Sequence, residues 1–290
     1  MASTIALKQR IKSVKGTRQI TKAMQLVSAS KMRRAQDAAY RSRAYRDVAY
    51  ELLSRLNAVK EVAREPLFAE RKVSSRLYII ITSNSGLAGA YNANTLKLLF
   101  RAIKADQSAG VSSHVLAIGS KGAQFVRRLK AVELVAVYAA LGDHPTANSI
   151  RPALNTMVEL FKNEKVDEVQ LIYTNFKSNL VQEALGIQLL PATTEQPLPE
   201  DQTQPVLNFE PDVETVIDQI ATRLIEAQLW QAVLESLASE HSMRMLAMKN
   251  ATDNAKDLID DYTLELNTAR QASITQELAE ITGGAEALNG

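Results

Sequence analysis

Twelve cationic side chains stand between Lys8 and Arg46: Lys8, Arg10, Lys12, Lys15, Arg18, Lys22, Lys31, Arg33, Arg34, Arg41, Arg43 and Arg46. Asp37 is the only acid before Asp47. A solvated helix face normally mixes both signs to gain i,i+4 pairs, so one face this basic should seek an anionic partner. Other chemistry is thinly represented. The run Ser83-Asn84-Ser85-Gly86-Leu87-Ala88-Gly89-Ala90-Tyr91-Asn92 follows an apolar run and opens a helix, where α/β proteins cradle phosphates. It has neither GxGxxG nor GxxxxGK[ST] spacing, and Gly119-Ser120-Lys121-Gly122 has no second glycine at the P-loop distance. Both read as strand-to-helix turns. His114, His144 and His241 are scattered, none with a second ligand at metal spacing. Met243, Met245 and Met248 read as soft packing within a coil. We expect no catalytic, cofactor or metal site.

The elements that carry these residues are unusual in length. Ala2 to Glu65 contains no proline and only Gly16, and Asp212 to Thr282 contains neither proline nor glycine. Without those breakers two uninterrupted helices are expected, of about 85–90 Å and about 105 Å at 1.5 Å rise per residue. Pro211-Asp212 marks a start for the second, and Gly283-Gly284 a stop.

Each helix has a seam at alternating three and four spacing. In the first it runs Leu7, Ile11, Val14, Thr21, Ser28, Met32, Ala35, Ala39, Ser42, Ala49, Leu53 and Leu56, with Arg18, Gln25 and Arg46 as breaks. In the last it runs from Ile217 through Leu224, Leu234, Met248 and Ile259 to Ala269, with Gln231, His241 and Thr252 as polar members. The first seam is small-sided, so a partner helix can approach closely. With a folded segment between them, the two helices should pair antiparallel, and the longer second one should protrude alone.

The middle alternates strand and helix. Strands are expected at Leu77–Thr82, His114–Ile118, Glu133–Tyr138 and Glu168–Tyr173, with an antiparallel edge strand at Ala184–Leu190. Helices are expected at Asn92–Ala105, Gly122–Leu129 and Ile150–Asn163. The fold class is therefore α/β with long helices: an antiparallel two-helix coiled coil from the terminal segments plus a central open, Rossmann-like sheet. The division reads 1–65, first coiled-coil helix; 75–191, α/β domain; 192–211, a polar connector rich in Pro, Gln and acid; and 212–290, last helix, with 1–65 and 212–290 forming one rod.

Bulk properties agree. The 290 residues are 46% hydrophobic and 23% charged, and aromatics are only 5%, as suits a rod that buries a single seam. Cysteine is absent, which excludes disulfides and thiol regulation. No run approaches 18 apolar residues, and Met1–Ile5 lacks the apolar core of a signal peptide, so neither a membrane span nor a leader is expected.

Three stretches resemble one family. Ile11 to Arg33 (IKSVKGTRQITKAMQLVSASKMR), Arg244 to Ala255 (RMLAMKNATDNA) and Asn267 to Ile281 (NTARQASITQELAEI), followed by Gly284-Ala285-Glu286-Ala287, are similar to the γ subunit of F-type ATP synthase, and Thr82 to Asn92 fits as well. The resemblance implies a central stalk turning inside a ring of three α and three β subunits. One copy would serve each complex, the sheet domain meeting the ε subunit and the c-ring of FO. It implies no catalytic site and no cofactor of its own, no nucleic acid and no insertion into the bilayer. With no cysteine and no evident insertion in the middle, it implies the bacterial form, peripheral on the cytoplasmic face of the plasma membrane.

The implied contacts follow residue by residue. Lys22, Arg33 and Arg34 should meet acidic loops of the β subunits, with Met24 at the same rotor–stator interface. Arg270, Gln271 and Thr275 should hydrogen-bond a β loop. Ile281, Ala285, Ala287 and Leu288 should sit in a hydrophobic collar that serves as a bearing. Two other readings remain: a coiled-coil nucleic-acid binder using the basic helix, whose affinity would fall steeply with salt, and a nucleotide-dependent α/β enzyme with helical arms.

Overall fold

The computed structural model describes residues 4–57, 65–130, 132–139, 141–142, 145–192 and 213–289. Helix α1 runs Thr4–Asn57. The alternating segment then follows as β1 Ser75–Ile81, α2 Tyr91–Ala109, β2 Ser112–Ile118, α3 Ser120–Val126, β3 Glu133–Tyr138, α4 Arg151–Lys162, β4 Glu168–Phe176 and β5 Gln182–Leu190, and helix α5 runs Val213–Asn289. The expected stop at Gly283-Gly284 is corrected: α5 passes through both glycines to Asn289. A helical glycine costs only about 1 kcal/mol against alanine, and good helix formers follow at Ala285, Glu286, Ala287 and Leu288. The connector proposed at 192–211 lies, beyond Ala192, outside the described residues, as does His144.

The chain divides into two compact units, one of Met1–Ser28 with Arg244–Gly290 and the other of Ala29–Met243. In the first, α1 and α5 pair antiparallel: Arg10 stacks on the Tyr262 ring and Thr21 meets Thr252. The expected seam is the contact line. Leu7, Thr21 and Ser28 are buried on α1, and Met248, Ala255 and Ile259 on α5. In the second unit the two helices touch again where Gln231 Nε2 donates to the Ala39 carbonyl and Arg43 faces Glu235. Buried Met32, Ala39 and Ala49 continue the α1 seam there at near-heptad spacing.

The sheet of the second unit has the order β3-β2-β1-β4-β5. β1 pairs parallel with β2 and β4, β2 parallel with β3, and β4 antiparallel with the edge strand β5. The order reverses direction after β3, so right-handed crossovers put α2 and α3 on one face and α4 on the other. Side chains sort by strand parity. Tyr78, Ile80, Val115 and Ala117 join Leu99 and Ile103 of α2 and Val126 of α3. Leu77, Ile79, Ile81, Leu116, Leu171 and Tyr173 face α4 and the middle of α5. Each fully buried aliphatic side chain stabilises by about 1.5–3 kcal/mol.

The middle of α5 is therefore more than a coil strand. From Leu224 to Ser236 all residues are buried except Trp230, which is half-buried, because one side packs on the sheet and another on α1. Buried Glu226 is bracketed by Arg151 and Arg223 at 3.1 and 2.8 Å, so its charge is paired.

A second buried charge cluster locks α2 to the sheet. Asp106, near the end of α2, accepts from Arg76, from the Tyr78 hydroxyl at 2.6 Å and from Ser113 Oγ at 3.1 Å. Arg76 also reaches Glu168 at 2.9 Å. Burial works against the Arg76 charge, but the hydrogen bonds to Glu168 and Tyr78 outweigh it and hold its pKa above the ordinary value. Burial first, and then the bond to Asp106, lift the Tyr78 phenol above its usual range.

Candidate functional site

Helix α1 presents the basic face as an exposed stripe in the first unit. Lys8, Lys12, Lys15, Arg18 and Lys22 follow at steps of four, three, three and four, which is one helix face. In the second unit Arg33, Arg34 and Arg41 are also exposed. Among the described residues no carboxylate pairs with Lys8, Lys12, Lys15, Arg18, Lys22 or Arg33. The field of the stripe is thus left for an outside anion.

Lys22 stands in a groove of about 510 Å³ between α1 and α5, lined by Arg18, Gln19, Lys22, Ala23, Leu26, Thr252, Asp253 and Lys256. Three cations meet one carboxylate over a small apolar floor. Lys22 Nζ donates to Gln25 Oε1 at 3.3 Å, which leaves its charge uncompensated. Met24 is half-buried. Seam spacing alone makes Arg18 a break in the seam and gives no site role to Asp253 or Lys256. The spacing of Arg18 and Lys22, four apart, was the signal available for this face; the α5 side of the groove depends on the pairing register.

Arg270, Gln271 and Thr275 lie on α5 where the helix leaves its pair. Ala269 is the last half-buried residue, and every side chain described from Arg270 to Ala285 is exposed. Thr275 Oγ1 donates back to the Gln271 carbonyl at 2.9 Å, so its proton is used within the helix and its oxygen remains free to accept. Ile281 is 67% exposed, and Ile274 and Leu278, which the sequence reading left out of the tip, are 49% and 58% exposed. Ile274, Leu278, Ile281 and Ala285 stand at steps of four, three and four, an apolar stripe with no cover among the described residues. The Ala287 and Leu288 side chains lie outside the described ones. Lys22 and Met24 share a unit with Arg270, Gln271 and Thr275, while Arg33 and Arg34 belong to the other.

The loop after β1 forms the turn expected of it. Asn84 Oδ1 accepts from Ser120 N and Ser120 Oγ, both at 2.9 Å, and its amide donates to the Ala139 carbonyl. Thr82 Oγ1 accepts from Gly122 N at 2.8 Å, and Lys121 N donates to the Ser83 carbonyl. The backbone donors that a phosphate would use at the start of α3 are engaged by the chain itself. His114 Nδ1 lies 2.9 Å from Glu133 Oε2. Among the described residues no group of three or more His, Cys, Asp or Glu is placed to hold a metal, and no helix is long and apolar enough to cross a membrane. Met248 is buried and Met243 and Met245 half-buried, as packing within the pair requires.

Long paired helices from the two ends of the chain, with a mixed five-stranded α/β sheet between them in sequence, define the class of fold. The comparisons agree. A family model described as ATP synthase matches residues 3–288. The chain is 43% identical to the ATP synthase gamma chain of Herpetosiphon aurantiacus over the full length of both. It is 40% identical to that of Stenotrophomonas maltophilia over 99% of this chain and all of the relative. Among solved structures, a chain of the Euglena gracilis mitochondrial ATP synthase OSCP/F1/c-ring assembly shares the fold at TM-score 0.71 and 18% identity, covering 99% of this chain and 94% of that one. A chain of the Tetrahymena thermophila mitochondrial ATP synthase central stalk and c-ring does so at TM-score 0.59 and 23% identity, covering 80% and 99%. This chain belongs to the gamma chain family of F-type ATP synthase, in its bacterial form. The full-length match displaces the reading as a nucleic-acid-binding coiled coil.

Proposed function

We propose that this chain is the central rotor shaft of the F1 sector of a proton-translocating ATP synthase. Residues 1–65 and 212–290 act as one rod within a ring of three α and three β subunits. The sheet domain meets ε and the c-ring. One copy serves each complex, peripheral on the cytoplasmic face of the bacterial plasma membrane.

The chain has no catalytic site of its own in this reading. Its work is differential binding. A shaft with unlike faces contacts each β subunit differently, so each orientation stabilises one β conformation over the others by the difference in contact free energy. Rotation carries each site through binding of ADP and phosphate, ATP formation and release. Lys22, Arg33 and Arg34 attract acidic β loops, Met24 lies beside them, and Arg270, Gln271 and Thr275 hydrogen-bond a β loop. Ile281, Ala285, Ala287 and Leu288 turn in an apolar collar.

One observation carries the reading: among the described residues α5 continues from Arg270 as an unpaired helix with an uncovered stripe at Ile274, Leu278 and Ile281. An isolated apolar stripe of this kind calls for an enclosing sleeve. The test is co-purification. Tagged chain expressed with its α and β subunits should recover a hexamer with ATPase activity, and recovery of the chain without them would defeat the proposal.

A further inference from the structure

The turn between β4 and β5 reaches out of the sheet and is gripped by both long helices. Gln36 Nε2 of α1 donates to Asn179 Oδ1 at 2.5 Å, and Arg43 Nη2 donates to the Phe176 carbonyl at 3.2 Å. From α5, Ser242 Oγ donates to the Asn179 carbonyl at 2.9 Å, and Gln182 Nε2 donates to Ser242 Oγ at 3.2 Å. Deeper along the strand, Ser236 Oγ accepts from Thr174 N at 3.2 Å and Ser239 Oγ donates to the Thr174 carbonyl at 3.4 Å.

The spacing shows how the grip is built. Gln36 and Arg43 are one heptad apart, so they project from the same face of α1. Ser236, Ser239 and Ser242 follow every third residue along α5, all three with 0% exposure. Serine is small enough to let a strand lie close to a helix, and its hydroxyl pairs the strand's polar groups on arrival. Beneath the grip Arg43 faces buried Glu235, which also accepts from Gln231 at 2.8 Å.

The contacts do more than satisfy buried atoms. The Gln36–Asn179 bond is exposed, where water would serve both side chains equally. Apolar packing has no preferred direction and yields to sliding or rolling, whereas hydrogen bonds fix a relative orientation. α5 already enters the domain core, but Ala49 is the α1 member of the core cluster among the described residues. The hairpin turn is therefore where α1, the bearer of the basic stripe, is held in orientation against the sheet.

We propose that the β4–β5 hairpin is the torsional tie of the rotor, with Gln36, Asn179 and Ser242 as positioning residues that make α1 turn with the sheet domain. The inference rests on the rotor reading. In membranes carrying the assembled complex, Gln36→Ala with Ser242→Ala should leave ATP hydrolysis near the unsubstituted rate. ATP-driven proton pumping should fall at least about fivefold, the factor that the net contribution of even one of the three lost hydrogen bonds supplies. The chain has no cysteine, so Gln36→Cys with Asn179→Cys makes a unique pair. Pumping should match the unsubstituted complex when that pair is oxidised and drop on reduction. Amides of residues 177–182 in the full chain should exchange faster in the double alanine variant. Unchanged exchange, or faster exchange with an unchanged ratio of pumping to hydrolysis, overturns the tie. If the unsubstituted chain supports neither hydrolysis nor pumping with its partners, the rotor reading fails, and the exchange data still decide whether the hairpin is held.

Discussion

The Thr252 hydroxyl donates to the Thr21 hydroxyl at 2.8 Å across the helix pair, sharing its proton with the Met248 carbonyl at 2.7 Å, and the Thr21 hydroxyl donates in turn to the Arg18 carbonyl at 3.1 Å. Thr21 is nearly buried and sits in a seam otherwise made of small or apolar side chains. Such a seam tolerates displacement along its own axis, because one small residue replaces another. A hydroxyl pair does not, since each oxygen needs its counterpart opposite.

Removing one member of that pair should cost more than removing both. Thr252→Val leaves Thr21 without its donor and should lower stability by about 1 kcal/mol, while Thr21→Val with Thr252→Val should be close to neutral. Urea midpoints of the four chains in the cycle measure the coupling. Strict additivity would mean that the contact contributes nothing.

Arg76 neutralises two carboxylates at once, buried Asp106 and Glu168. Arg76→Met should destabilise the sheet domain by about 3–5 kcal/mol, because both charges remain inside without a cation. Chemical denaturation followed by circular dichroism would show the loss as a lower midpoint.

The same cluster predicts an alkaline limit. Folding raises the Tyr78 pKa, so the native state holds that proton more tightly than the unfolded chain does. Its stabilising contribution is complete below the unfolded phenol value of about 10 and is lost as pH rises through and above it. Stability measured between pH 9 and pH 11.5 should decline, and Tyr78→Phe should flatten that decline.

Gly119 has φ of 108°, a backbone conformation that L side chains rarely adopt, and a Cβ there would run into the Thr82 carbonyl. Gly119→Ala should cost about 2–3 kcal/mol from strain and displaced packing. Thermal unfolding would detect it, and Gly86→Ala, with open space around its Cβ position, is the control that should change little.

Arg270 and Gln271 make no packing contribution where they stand, since both are exposed. Replacing them together by alanine should leave the unfolding midpoint within about 0.5 kcal/mol of the parent and lower ATP turnover of the assembled complex. Undiminished turnover would remove both from the contact surface.

The extent to which the fold was legible follows from the range of the interactions involved. Leu7, Thr21, Ser28, Met32 and Ala39 announce their burial through spacing alone, because a helix face repeats every three or four residues whatever lies opposite. The strand Glu133–Tyr138 has the residues expected of it, and the edge strand at 184–190 is antiparallel as expected, starting two residues earlier. The exposed end of α5 was legible as surplus length over α1.

Other features were not. Nothing local marks Glu226, Glu235 and Ser236 as buried, since each is polar and only the sheet, α4 and α1 around them remove the water. Gly283-Gly284 signals a stop that the helix ignores, a preference of about 1 kcal/mol per residue being too small to end a long helix. Asp253 and Lys256 enter the groove with Arg18 and Lys22 only through the register of α1 on α5.

By itself, then, the sequence determined the two long helices, the α/β alternation, the basic stripe and the family. These depend on periodicity and on residue types close in the chain, which act before any tertiary contact exists. The tertiary structure alone decided the register of the helix pair, the burial of α5 against the sheet and the grip on the β4–β5 hairpin. Each of those joins residues far apart in the chain, such as Thr174 with Ser236, and depends on shapes that exist only once the chain has closed on itself.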